Sequence, residues 1–124
     1  MKYAYFKSSD SLGVTSAATG ERLWLDLPEG YAVRAVAAIP ETDDCLVLLK
    51  GDTDKASQPG HFENLWRYSY ETGVIWRAEL PQSGSDCYVS FALEAGGLRA
   101  NSWSCYLVAI DINTGQIQSR TFTK

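Results

Sequence analysis

The chain has 124 residues, 45% of them hydrophobic and 21% charged, which is ordinary for one soluble globular domain with a single core. A net charge of −4 and a pI near 4.9 argue against nucleic acid, which needs clustered Lys and Arg to displace counterions. No apolar run approaches the roughly 18 to 20 residues of a membrane span, and the first residues lack a signal-peptide core. The expectation is a cytoplasmic protein that uses neither membrane nor nucleic acid.

In chain order, residues 2–7 set Tyr3 and Tyr5 against Ala4 and Phe6, a short strand, and Ser8, Ser9, Asp10 and Ser11 are turn material. Residues 12–18 are weakly strand-like, and Thr19-Gly20 is a turn. Residues 22–27 place Leu23, Leu25 and Leu27 on one face and Trp24 on the other. Residues 28–30 close this unit. Residues 31–39 align Tyr31, Val33, Ala35, Ala37 and Ile39 on one side of a strand, with an alanine-rich helix as the competing reading. Residues 40–44 form a loop. The nearly continuous apolar run 45–50 predicts a strand buried on both faces.

Residues 51–60 are polar, full of breakers, and form the longest loop. A hairpin follows, 62–70 and 74–80, turning at Thr72-Gly73. After a linker at 81–86, residues 88–95 align Val89, Phe91 and Leu93, and Gly96-Gly97 makes a tight turn into 98–103. Residues 105–123 are a last hairpin hinged on Asn113-Thr114-Gly115, with Tyr106, Val108, Ile110 and Ile112 on one face. The prediction is one all-β domain spanning 1–124, in blade-like antiparallel units over about 1–30, 31–80 and 81–124, with about 3+4+4 strands.

Thr72 and Thr114 stand 42 residues apart at equivalent turns, a repeat signal. The segment Leu107-Val108-Ala109-Ile110-Asp111-Ile112-Asn113-Thr114-Gly115-Gln116-Ile117 resembles the repeat of quinoprotein-type (PQQ-like) β-propellers. The earlier hairpin matches at Thr72, Gly73, Ile75 and Trp76, with Ser69 where that family usually has Asp; the later one has Asp111 but Gln118 in place of Trp. The resemblance implies blade architecture and almost nothing about chemistry. Because closed propellers need at least about four blades, the expected form is a compact propeller-like sandwich or open barrel.

Cys45, Cys87 and Cys105 form an odd set without a CxxC pair and read as buried structural thiols. His61 stands alone in a polar loop, without the spacing of a catalytic pair, and the three cysteines lack the closely paired ligands of a zinc site. Glu71, Glu79 and Glu94 fall on different strands, and no P-loop, GxSxG or HExxH pattern occurs. Neither a cofactor nor a metal is expected, nor a catalytic centre. Asp43, Asp44, Asp52 and Asp54 gather around one hairpin and, with His61, Glu63 and Trp103, make the expected partner-binding surface.

The leading functional expectation is a non-catalytic module that binds another protein. Its size and acidity resemble those of bacterial immunity proteins, which implies a basic toxin domain as partner. The rival is a carbohydrate- or small-ligand-binding, oligomeric propeller-like protein, with Trp66, Trp76 or Trp103 as platforms.

Overall fold

Ser16, Ser69 and Asp111 each stand three residues before a Thr-Gly pair, and the chain reverses at all three places. Gly20 and Gly115 donate their N–H groups to the carbonyls of Ser16 and Asp111, at 2.7 and 2.8 Å. The Ser69 hydroxyl and the Asp111 carboxylate each accept a main-chain N–H two residues on, from Glu71 at 3.2 Å and Asn113 at 2.9 Å. Gly20, Gly73 and Gly115 take φ of 71°, 86° and 77°, a region that favours glycine. One local turn chemistry therefore recurs once in each sheet.

The computed structural model describes residues 2–25, 27, 31–50, 62–95 and 97–123. The expected turn at 28–30, the loop at 51–60 and Gly96 lie outside the described residues. Among those described there are strands and no helix. Strands β1 (Tyr3–Ser8), β2 (Ser11–Ser16) and β3 (Arg22–Leu25) form a three-stranded antiparallel sheet. The second sheet is the meander β4 (Val33–Ala38), β5 (Asp44–Leu49), β6 (Leu65–Ser69) and β7 (Gly73–Arg77). The third is the meander β8 (Tyr88–Glu94), β9 (Gly97–Ser102), β10 (Tyr106–Ile110) and β11 (Ile117–Phe122). The all-β, 3+4+4 expectation holds, the sheets stack without closing a barrel, and residues 33–38 are strand rather than helix.

Strand β5 explains the stacking. Leu46 and Leu48 point into a core shared with the third sheet, against Leu65, Trp76, Tyr88, Leu98 and Val108. Val47 and Leu49 point the other way, into a core with Leu12, Val33 and Trp66 beneath the first sheet. Side-chain alternation thus loads both faces of one strand with apolar groups, and the second sheet becomes the middle layer.

Polar ties fix the layers in place. Asn64 is buried and donates from Nδ2 to the carbonyls of Leu49 and Tyr88, each at 2.8 Å, while its Oδ1 accepts the Tyr88 N–H at 2.7 Å. Arg67 and Trp76 both donate to the Ile112 carbonyl, at 3.0 and 2.9 Å. On the other side the Tyr5 hydroxyl donates to the Asp43 carbonyl at 2.6 Å and accepts the Tyr70 N–H at 2.9 Å.

Candidate functional site

Of the acidic surface expected from the sequence, Asp43, Asp44 and Glu63 are described, with Trp103 beside them in the expected set. Asp44 opens β5 and the chain leaves that strand at Lys50, about 17 to 20 Å away at roughly 3.3 Å per residue. Asp43 and Asp44 therefore stand at the opposite end of β5 from Lys50. Both are also engaged. Asp43 accepts the Lys2 main-chain N–H at 2.5 Å, and Asp44 accepts Nε and Nη2 of Arg67 at 2.9 and 2.7 Å, with both side chains about 15% exposed. Asp52, Asp54 and His61 lie outside the described residues.

Glu63 is exposed just before β6 and Trp103 occupies the β9–β10 turn, so these two fall toward the same end of the molecule. Trp103 is 38% exposed on a firmly held turn. Its N–H donates to the Cys87 carbonyl at 2.8 Å. Buried Asp86 takes the N–H groups of Cys87 and Ser104 and the Ser104 hydroxyl, at 2.9, 3.1 and 2.8 Å. Trp66 and Trp76 are only 2% and 8% exposed, so neither can serve as a sugar platform. Cys45 and Cys87 are buried free thiols, and burial, helped by Asp44, pushes the Cys45 thiol up to about 12. Burial raises Cys87 too. Cys105 departs from expectation: it is exposed, at φ of 71°, because it sits at the turn into β10 and not within the strand.

A groove of about 780 Å3 lies between β4 and β8. Its size falls in the range of about 300 to 1,000 Å3 usual for binding sites. Strand β8 lies across β5, so β4 projects beyond it as a ledge. Ala35 and Ala37, with Leu48 behind them, line one side; Phe91 and Leu93 line the other. Alanine makes the space: larger side chains at 35 and 37 would fill it. Arg34 and Glu94 are the charged groups of the lining. Both strands carry a bulge, between Val33 and Ala35 in β4 and between Tyr88 and Ser90 in β8. The two bulged residues meet, Arg34 Nη1 donating to the Val89 carbonyl at 3.3 Å. Ser90 is the groove's hydroxyl, and it accepts from Asn101 Nδ2 at 3.1 Å. Among the described residues no group of three or more His, Cys, Asp or Glu could hold a metal ion.

Sequence reading did not single out this groove, because it joins residues some 55 positions apart. The available signal was the run Ala35-Val36-Ala37-Ala38, small side chains on both faces of a strand with one neighbour.

The chain belongs to the family described as Domain of unknown function (DUF7957), which matches residues 18–122. No PQQ-like repeat family was found, which overturns the resemblance drawn from the Thr-Gly hairpins. The reason is local. A side-chain oxygen three residues before Thr-Gly serves the turn itself, as Ser69 and Asp111 both show, so the motif reports a turn and not an ancestry. No curated protein matches the chain. No helix among the described residues is long and apolar enough to cross a membrane.

Proposed function

We propose that this chain is a non-catalytic module that binds another protein, and that a segment of the partner docks in the groove between β4 and β8. The observation that carries the reading is an apolar groove running along two strand edges, with charge at its ends and no acid–base pair in its lining. The net charge of −4 favours a basic partner in long-range encounter. An immunity-type protein acting on a basic toxin domain in the cytoplasm is the concrete form of this reading. The carbohydrate reading has less support, since two of its three tryptophans are buried.

The test is co-purification of tagged wild type beside Ala95→Trp and Ala37→Trp, which fill the groove from its lining, and Trp24→Ser, which alters the far face of the first sheet. One stoichiometric partner retained by wild type and Trp24→Ser, and lost by both groove variants, is expected. Equal recovery with all four chains overturns the groove. Recovery of a defined homo-oligomer alone overturns the protein-binding reading.

A further inference from the structure

We infer that the groove takes its partner as a β-strand added to the edge of β8, running antiparallel to it over Ala35 and Ala37 of β4, with an acidic residue at the Arg34 end and a basic residue at the Glu94 end. This rests on the groove being the docking site, and it specifies the conformation, direction and charge of the docked segment.

Conformation follows from the edge of β8, which lies over the face of β4. Within their sheets β4 pairs only with β5, and β8 only with β9. A strand with one neighbour leaves every second residue's N–H and C=O without a sheet partner, the template that an extended segment completes. The Val89 carbonyl already behaves as such a free acceptor by taking the Arg34 guanidinium. Protein edges are commonly blunted by charge, proline or bulges. Here those devices sit at the ends: bulges at Arg34 and Val89, and Pro40 just beyond β4. The stretches between, Ala35–Ala38 and Ser90–Leu93, carry no charge and no proline. From Val89 to Glu94 the edge runs about 16 to 17 Å, room for five or six extended residues.

Direction follows from the strands' relation to each other. The two bulges meet at one end, and from there the chain along β4 as far as Pro40 and along β8 as far as Ala95 lines the same groove, so β4 and β8 run the same way. A segment paired antiparallel with β8 runs opposite to β4 beneath it as well, and antiparallel pairing is the stronger kind. Charge follows from the two ends. Arg34 and Glu94 are exposed, and among the described residues neither forms an ion pair. An antiparallel segment therefore presents its N-terminal end to Glu94 and its C-terminal end to Arg34. The methyl side chains of Ala35 and Ala37 leave space for Val-sized groups above them.

The experiment uses the full chain and three blocked hexapeptides, Lys-Ala-Val-Ala-Val-Asp, its charge-exchanged form Asp-Ala-Val-Ala-Val-Lys, and Ser-Ala-Val-Ala-Val-Ser, titrated while main-chain amide NMR signals are followed. The first peptide is expected to bind about fivefold tighter than the neutral one, the worth of two rim ion pairs, with shifts confined to β4 and β8. In the double variant Arg34→Glu/Glu94→Arg the charge-exchanged peptide is expected to take first place. Equal binding of all three peptides, or shifts elsewhere, overturns the strand assignment. If the co-purified partner is lost with Ala95→Trp yet leaves β4 and β8 amide exchange unchanged, docking stands and strand addition falls. If Ala95→Trp retains the partner, both fall.

Discussion

The Trp76 indole packs directly on Gly115: a Cβ built on that glycine would lie 2.7 Å from Cε3 and 2.8 Å from Cδ2. Gly73, at the equivalent turn, has φ of 86° with nothing within 4 Å of such a Cβ. The two Thr-Gly turns therefore need glycine for different reasons. Gly73→Ala is expected to cost about 1 kcal/mol, the strain of a left-handed alanine. Gly115→Ala adds an overpacking cost against a buried ring, for about 2 to 4 kcal/mol in all. Urea midpoints of the two variants, compared at equal m-values, check the difference.

Asn64 makes one hydrogen bond within the middle sheet, to Leu49, and two across to Tyr88 of the third, with no exposure to solvent. Asn64→Ala is expected to cost about 2 to 4 kcal/mol, because buried main-chain groups lose their partners. Asn64→Asp does no better, since a carboxylate cannot donate to the Leu49 and Tyr88 carbonyls. Equilibrium unfolding of both variants reads this out; a loss under 0.5 kcal/mol for either contradicts it.

Asp44 faces Arg67 inside the fold, so its charge serves stability. Asp44→Lys sets two cations against each other and is expected to lower stability by about 3 kcal/mol. Thermal unfolding measures the loss.

With Cys45 and Cys87 buried and Cys105 exposed, an aromatic disulfide reagent is expected to label one thiol in the native chain and three after denaturation. Cys105→Ser abolishes the native signal. Two fast native thiols would mean that Cys45 or Cys87 is reached.

The alkaline limb of stability should be steep. Burial raises Cys45 from 9.0 to about 12 and Tyr5 from 10.0 to about 12, and it also pushes Tyr88 up. A group whose folded pKa is raised contributes fully below its ordinary value and loses that contribution as pH climbs to the folded one. Stability is therefore expected to hold to about pH 9 and fall through pH 12. Cys45→Ala should lessen the earliest part of the fall, which Cys87 shares, seen in urea midpoints taken every half pH step.

Local chemistry was legible in the sequence and long-range placement was not. The Thr-Gly turns, the alternation in β10 and the doubly apolar run of β5 follow from side chains within a few residues, and each lies where expected. Asp43 and Asp44 read as free acidic groups because the sequence does not show the Lys2 main chain and the Arg67 guanidinium that they meet. Cys105 looked buried because its neighbours are apolar, yet the turn before β10 lifts it outward. The groove depends on where β8 crosses the middle sheet, a relation that neither strand's own residues encode. Ala35 and Ala37 offered a trace, but small residues also suit a helix, and tertiary context decided between them.

Each sheet is assembled from strands that follow one another in the chain, and each new layer settles on the one before it. Such locality favours quick folding, and it gives the process a direction during synthesis. The first sheet and then the middle one can form while residues from Tyr88 onward are still to be made. Leu46, Leu48 and Leu65 remain bare on the growing molecule until β8, β9 and β10 arrive to cover them. The nascent chain is at its stickiest in that interval, and a ribosome paused there would hold out a ready surface for chaperones.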